Sequence, residues 1–173
     1  MREKEKIIIL AYVGTGKTET AKRYSGVWNP SSDDYRYIWS KNIPYEQRKS
    51  SLNRVENPDF PNNYIDVISE KIKTDIVLLS LTEKLFPLYD SKEFRDKMKD
   101  ARIILACPEK DSIGDYIERY KARNNSEAFI ENRKKEFPFI VDKFENAKGY
   151  EKVAVQQYLD DALINHGIKL QLK

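Results

Sequence analysis

The sequence predicts an α/β fold with three layers, in which a mostly parallel sheet of about five strands lies between two layers of helices. Three observations lead to this prediction. The chain of 173 residues has the length of one domain, strand and helix signals alternate along it, and its main strands are continuous apolar runs. Such runs are typical of parallel strands covered on both faces. We therefore predict a single domain over residues 1–173.

The predicted strands are short segments rich in Ile, Leu and Val. The first is a run of Ile and Leu without polar alternation, so we expect it to be buried on both faces. A Val-Trp pair gives the shortest strand of the set. In chain order, the predicted strands are residues 6–11, 27–28, 74–80, 102–107 and 152–155.

The predicted helices follow from apolar residues at helical spacing. We expect Gly26 to close the first helix, Pro87 to break or bend the third, and Ser112 to cap the fifth. Residues 41–61 are polar and contain several prolines, so we predict a long connection there with at most one short helix. In chain order, the predicted helices are residues 17–25, 62–72, 82–89, 91–100, 112–123, 126–146 and 157–166.

Composition and charge limit the possible partners. The chain has 31 basic and 28 acidic residues, mostly intermixed, so its net charge of +3 does not indicate a nucleic-acid surface. Its longest apolar runs are well short of the roughly 20 residues that span a bilayer. The mixed charges of its N-terminal residues do not resemble a secretory signal, and the lone Cys107 is more typical of a core residue than of a disulfide. We expect a cytoplasmic protein.

The first strand leads into a motif that binds phosphate. Residues 11–18 are Ala-Tyr-Val-Gly-Thr-Gly-Lys-Thr, close to the P-loop or Walker A pattern, with Ala11 in place of its first glycine. The glycines let the backbone curl around a phosphate, the lysine reaches the β and γ phosphates, and the threonine hydroxyl helps to hold Mg²⁺. The alternative is a simple turn, but the strand before the loop and the helix after it favour nucleoside triphosphate binding. The predicted binding residues are Val13, Gly14, Thr15, Gly16, Lys17, Thr18 and Glu19, with Thr18 as the Mg²⁺ ligand.

With this loop, and with Ser31-Ser32 after the second strand, the chain resembles the P-loop kinases of nucleosides, nucleotides and similar small molecules. It is most similar to small nucleotide-kinase-like proteins of phages and bacteria, which have an Arg-rich lid late in the chain. The resemblance implies a P-loop NTPase fold, ATP or GTP with Mg²⁺, and a phosphotransferase. It also implies a helical lid at about residues 111–146.

The resemblance also implies an acceptor site after the second strand. Ser32, Asp33 and Arg36 occupy that place, with Asp33 as the carboxylate that binds or deprotonates the attacking hydroxyl. The alternative is that Ser32 or Asp33 simply caps a helix. Asn29 stands where relatives often carry an acidic residue, and this difference weakens any assignment of a catalytic base.

The predicted lid contains two arginines with a mechanistic use. Arg119 and Arg123 are four residues apart and therefore project from one helical face. Two guanidinium groups there would stabilise the charge of a transferring phosphoryl group. The alternative for Arg119 is an ion pair with Asp115 on a solvated helix. Arg133 could join the two arginines, although exposure on a charged helix explains it equally well.

Three classes of function follow. The first is a kinase that transfers the γ-phosphoryl group of the triphosphate to a nucleotide, nucleoside or other small acceptor, with Lys17, Arg119, Arg123 and Asp33 as its catalytic residues. The second is a non-catalytic, regulatory nucleotide-binding protein. It is favoured by Asn29, where relatives often carry an acidic residue, and by Ser80, where many P-loop ATPases have the Asp that holds Mg²⁺ through water. The third is a kinase of nucleic-acid ends. Such an enzyme needs a basic groove, but acidic residues lie among the lysines and arginines that could form one, so a nucleic-acid partner is not expected.

Overall fold

The computed structural model of the chain describes residues 4–39, 43–48 and 54–173. In chain order, these residues form β1 (Ile7–Tyr12), α1 (Lys17–Arg23), β2 (Tyr24–Ser25), β3 (Val27–Trp28), α2 (Asp33–Arg36), β4 (Tyr37–Ile38), α3 (Tyr45–Arg48), β5 (Val55–Glu56), α4 (Asn62–Lys71), β6 (Ile76–Leu81), α5 (Phe86–Asp90), α6 (Lys92–Lys97), β7 (Arg102–Pro108), α7 (Ile113–Ala122), α8 (Glu127–Asn146), β8 (Glu151–Val155), α9 (Leu159–Asn165) and β9 (Gln171–Leu172).

Five parallel strands form the main sheet, in the order β3-β6-β1-β7-β8. All five predicted strands are present, and β1 is the central one. Its Ile8 lies opposite Val77 of β6, and its Ile9 lies opposite Ile104 of β7. The prediction of a mostly parallel sheet of about five strands is therefore confirmed.

Alternate residues of β1 face two apolar clusters, one on each side of the sheet. Ile8 and Leu10 pack with buried residues of α4 to α8, whereas Ile7 and Ile9 pack with residues of β8 and α9. Complete burial of such a side chain contributes about 2 kcal/mol. Helices therefore cover both faces, which is the three-layer arrangement that the sequence predicts.

The strand order brings several connections to one edge of the sheet. Parallel strands all end at the same edge, so the segments that follow β1, β3, β6 and β7 are neighbours there. These segments contain the predicted phosphate-binding motif, the predicted acceptor residues, Ser80 near the end of β6, and the start of α7. A candidate site is expected at this edge.

Two small antiparallel pairs are not predicted by the sequence. β2 pairs with β9, with Tyr24 opposite Leu172, and β4 pairs with β5. Because Tyr24 is already extended, α1 ends at Arg23, and Gly26 with φ 64° turns the chain between β2 and β3 instead of closing the helix. Strands of two residues are too short to show a periodic pattern.

Two predicted roles at helix ends differ in the structure. Pro87 lies in the first turn of α5 and does not break a helix, because a missing N–H costs nothing there. Ser112 precedes α7 but its hydroxyl donates to the carbonyl of Glu109, at 2.6 Å, and caps nothing. Ser126 does cap α8, since its hydroxyl accepts from the N–H of Phe129 at 3.2 Å.

The segment predicted as a lid consists of α7, α8 and the turn between them. Tyr116 and Tyr120 of α7 and Phe137 of α8 are buried in the larger cluster. Their rings pack around Tyr12 of β1, whose centroid is 6.1 Å from that of Tyr116 and 5.8 Å from that of Phe137. The base of this segment is thus part of the core, and its movement as a lid stays a prediction.

The predicted long connection over residues 41–61 is described only in part. Its described residues contain α3 and β5, and the remainder, residues 41–42 and 49–53, lies outside the described residues. None of the helices in the described ranges is long and apolar enough to cross a membrane.

Candidate active site

The loop between β1 and α1 depends on glycine. Gly14 has φ 92° and Gly16 has φ 104°, conformations that side chains with a Cβ rarely adopt. A Cβ on Gly14 would lie 2.8 Å from Cε1 of Tyr120, whereas one on Gly16 would meet only the backbone nitrogen of Leu159, at 4.0 Å. The ring of Tyr120 therefore closes over the loop at the position where glycine leaves room for it.

The backbone of the loop is held from several sides. The hydroxyl of the buried Thr15 donates to the carbonyl of Tyr12 at 2.8 Å, and Leu159 donates its N–H to the Thr15 carbonyl at 2.9 Å. By contrast, in the part of the chain that the structure describes, the N–H groups of Gly16, Lys17 and Thr18 donate to no acceptor. Free amides at the start of a helix are suited to an anion.

Lys17 lies folded back over the loop. Its Nζ donates to the carbonyl of Ala11 at 3.1 Å and to that of Tyr12 at 3.3 Å. Burial, together with the smaller effect of the charge of Arg123, lowers the pKa of Lys17 to about 8. An anion beside Lys17 would stabilise the charged form and raise this pKa again, so the ammonium group is suited to bind a phosphate.

Arg119 is attached directly to the loop. Its guanidinium donates to the carbonyl of Gly14 at 3.2 Å and packs over the rings of Tyr116 and Tyr158, with its Cζ 4.7 and 5.6 Å from their centroids. Among the described residues it makes no ion pair with Asp115, so the alternative of a solvated pair does not hold.

Arg123 also lies close to the loop, since it lines the same cavity as Gly14 and Gly16, and its charge contributes to the lowered pKa of Lys17. It is exposed and has no ion-pair partner within the described ranges. Arg119 in α7 and Arg123 just after it thus lie on the same side, as their spacing predicts, and both line a cavity with Gly14 and Gly16 of the loop.

Two cavities meet at this loop. The smaller, of about 300 Å³, is lined by Gly14, Gly16, Arg119, Arg123 and Tyr158, among others. The larger has a volume of about 830 Å³. Its lining includes the loop residue Val13, the predicted acceptor residues Ser32, Asp33 and Arg36, and also Ser80 and Arg123. Arg123 lines both cavities, so the two cavities are adjacent at this side chain.

Asp33 is the first residue of α2, and its carboxylate lies 3.7 Å from the guanidinium of Arg54. Ser32 occupies the N-cap position of α2, but its side chain accepts no capping hydrogen bond. Neighbouring Asp34 pairs instead with Arg48, at 3.4 Å. Ser32 and Asp33 both line the larger cavity, and the Ser32 side chain does not cap the helix.

Arg36 is at the other end of α2. It lines the larger cavity, and its guanidinium donates to the carboxylate of Glu56 in β5 at 3.4 Å. Its Cζ also lies 5.5 Å from the ring centroid of Tyr37. The small β4–β5 pair thus supports the acceptor segment from outside.

The residues around Thr18 fit a Mg²⁺ ion with few protein ligands. Thr18 begins α1, and its hydroxyl oxygen lies 3.5 Å from the carboxamide nitrogen of Asn29, which follows β3. Hydroxyl and carboxamide oxygens are hard ligands, and Mg²⁺ bound with nucleotides takes most of its shell from phosphates and water. The described part of the chain contains no cluster of three or more His, Cys, Asp or Glu side chains that could hold a metal ion.

Glu136 of α8 is a site residue that the sequence does not predict. Its buried carboxylate contacts Arg133 and accepts from the N–H of Glu83 at 2.6 Å, and both Glu136 and Arg133 line the larger cavity. Burial raises the pKa of Glu136 despite the N–H of Glu83 and the charge of Arg133. The side chain of Arg133 is only 19% exposed, so exposure does not explain it. Both residues are at helical spacing from Ile130 and Ile140, a signal that was available in the sequence.

Comparisons with known proteins agree with the fold. No protein-family model and no curated protein sequence matches the chain. Among solved structures, a tunicamycin resistance protein of Deinococcus radiodurans is similar with a TM-score of 0.56 and 12% identity, over 97% of this chain and 99% of that one. A gluconokinase of Sinorhizobium meliloti 1021 is similar with a TM-score of 0.50 and 17% identity, over 95% and 90%. The chain has the three-layer α/β/α P-loop fold. At such identities the likeness establishes the P-loop fold alone.

Proposed function

We propose that the chain is a P-loop kinase that transfers the γ-phosphoryl group of ATP or GTP to a nucleotide, nucleoside or similar small molecule. The observation that carries this proposal is the placement of the phosphate-binding loop between two cavities, with Arg123 lining both. A donor and an acceptor could thus meet at Lys17. The structural likeness to a gluconokinase supports a small-molecule kinase.

In this proposal the triphosphate occupies the side of the loop with the smaller cavity. The free amides of Gly16, Lys17 and Thr18 bind phosphate oxygens, and the exposed ring of Tyr158 beside Arg119 offers a surface for the nucleoside. Thr18 and Asn29 would hold Mg²⁺. When bound, this ion neutralises charge on the phosphate oxygens.

The acceptor occupies the larger cavity and is positioned by Ser32, Asp33 and Arg36. For a hydroxyl acceptor, Asp33 takes the proton as the acceptor oxygen forms a bond to the γ-phosphorus. The bond from that phosphorus to the bridging oxygen breaks, and the nucleoside diphosphate leaves with the electron pair. Lys17, Arg119 and Arg123 stabilise the charge on the transferring group, and residues 111–146 would close over it as a lid.

A second candidate function is a regulatory protein that binds a triphosphate without transferring phosphate. It is favoured by Asn29 at the end of β3 and Ser80 in β6, which place an amide and a hydroxyl where carboxylates would assist transfer. The two candidates share the donor site. They differ in whether an acceptor in the larger cavity promotes turnover.

The deciding experiment is a panel assay of the purified protein with ATP or GTP, Mg²⁺ and one nucleoside, nucleoside monophosphate or small hydroxy compound at a time. We expect release of ADP or GDP that depends on one acceptor class and that Lys17→Ala abolishes. Binding of the triphosphate, measured by calorimetry, accompanies each assay. Tight, Lys17-dependent binding without turnover on any acceptor would favour the regulatory protein or an acceptor outside the panel, and would reject a kinase of the compounds tested.

A further inference from the structure

Arg133 is held more firmly than an arginine on a charged helix would be. Its guanidinium contacts the buried carboxylate of Glu136 and packs on the ring of Phe129, with its Cζ 5.3 Å from the ring centroid. Glu136 is fixed in turn by the N–H of Glu83 in the β6–α5 connection. The guanidinium therefore has a set position in the wall of the larger cavity.

Glu136 does not use the full hydrogen-bonding capacity of Arg133. Among the described residues, the carboxylate of Glu136 is the one acceptor that the guanidinium of Arg133 contacts, and 19% of the side chain remains exposed, whereas a guanidinium carries five N–H donors in all. A planar group with donors left over is well suited to carboxylate or phosphate. Arg133 thus has the features of a ligand-binding side chain and not only of a structural ion pair.

The other charged side chains that line the cavity also favour an anionic ligand. Its basic side chains are Arg36, Lys84, Arg123, Arg133 and Lys135, against the acidic Asp33, Glu83 and Glu136. Lys84 and Lys135 have no ion-pair partner in the described ranges. The wall around Arg133 is therefore cationic on balance, which favours an anionic ligand.

We propose that Arg133, positioned by Glu136, binds an anionic group of the phosphoryl acceptor, a carboxylate or a phosphate, in the larger cavity. This inference rests on the proposed kinase function and narrows its acceptor class. Arg133 lines the larger cavity and is not part of the smaller one beside Gly14 and Gly16, so its ligand is the acceptor and not the nucleoside of the donor.

The first test measures the binding of inorganic phosphate as a probe and does not depend on turnover. The protein is saturated with a non-hydrolysable ATP analogue and Mg²⁺, so that the phosphate-binding loop is filled, and phosphate is then titrated by calorimetry. We expect phosphate binding that Arg133→Gln weakens at least about tenfold. The matched control is Lys134→Gln, because Lys134 is a neighbouring cation that pairs with Glu131 outside the cavity.

Each outcome of the titration has a distinct meaning. Equal phosphate binding by the wild type and by Arg133→Gln overturns the inference, as does equal weakening in Lys134→Gln. Failure of the ATP analogue to bind in a Lys17-dependent manner would reject the proposed function instead. The affinity for the analogue should stay within about twofold in both variants, which shows that they are folded.

The second test identifies the source of the anionic group. Acceptors are compared as matched pairs, a nucleoside with its monophosphate and a sugar with its aldonic acid. We expect a lower KM for the anionic member of one pair, and a loss of that preference in Arg133→Gln with kcat retained. Preference for the neutral members would overturn the inference while phosphoryl transfer stands. An equal fall of kcat on charged and neutral acceptors would also overturn it, because Arg133 would then serve the transferring group.

Discussion

The donor side and the acceptor side of the candidate site are built in different ways. The donor side is one continuous loop of backbone, in which Gly14 and Gly16 adopt φ values that favour glycine. The acceptor side is made of side chains from α2, β6, the β6–α5 connection, α7 and α8. A backbone site is encoded in adjacent residues, whereas a side-chain site is assembled only by the fold. Substitutions on the donor side should therefore change triphosphate binding or stability, whereas substitutions on the acceptor side should change kcat or the acceptor KM.

The largest expected effect is on Arg119 and Arg123, which stand where the two sides meet. The double variant Arg119→Ala/Arg123→Ala should lower kcat by about a thousandfold, because two charges beside the transferring phosphoryl group are removed. Steady-state kinetics with the acceptor found in the panel measures this. Lys121→Ala is the control, since Lys121 on the same helix pairs with the exposed Glu118.

Arg123 gives the cleaner single substitution of the pair. Arg119 also donates to the Gly14 carbonyl, so its loss alone could move the loop, whereas Arg123 makes no ion pair within the described residues. If both alanine variants turned over normally while Lys17→Ala was inactive, the lid assignment would be wrong.

Asp33→Asn tests the acceptor side alone. We expect kcat for a hydroxyl acceptor to fall by about a hundredfold, because the amide cannot accept the proton, while the Kd of the triphosphate stays unchanged. Asp34→Asn is the matched control, because Asp34 is adjacent in α2 and also pairs with an arginine, Arg48, but does not line the larger cavity. Unchanged kcat and acceptor KM in Asp33→Asn would leave that residue without a role in transfer.

The same contrast explains what could be predicted from the sequence. The five strands of the main sheet and the loop from Val13 to Thr18 were predictable, because apolar runs and a contiguous motif encode them. The β2–β9 pair was not, because Tyr24 and Leu172 meet only after the chain has folded. The helical spacing of Glu136 from Ile140 indicates its helix face but not its contacts, because the N–H of Glu83 from which it accepts lies 53 positions away in the chain.

The two loop glycines should differ in their effect on stability. Gly14→Ala should lower the free energy of unfolding by about 2 kcal/mol or more, because it adds contact with Tyr120 to the strain of a positive φ. Gly16→Ala brings the strain alone and should cost about 1 kcal/mol. Urea denaturation of both variants measures the difference. Equal losses would mean that Tyr120 moves aside and does not close over the loop.

The last prediction concerns pH and the donor side. The pKa of Lys17 is lowered to about 8 in the free protein. Binding of a triphosphate needs the protonated form of Lys17, because only the ammonium group neutralises phosphate charge. Below pH 8 Lys17 is already charged and the affinity should be constant. Above pH 8 a proton must be taken up on binding, so Kd should rise by up to about tenfold per pH unit. Calorimetry between pH 7 and 9.5 would detect this rise, and Lys17→Arg should remove it, because a guanidinium stays charged throughout. A rise that persisted in Lys17→Arg would assign the titration to another group.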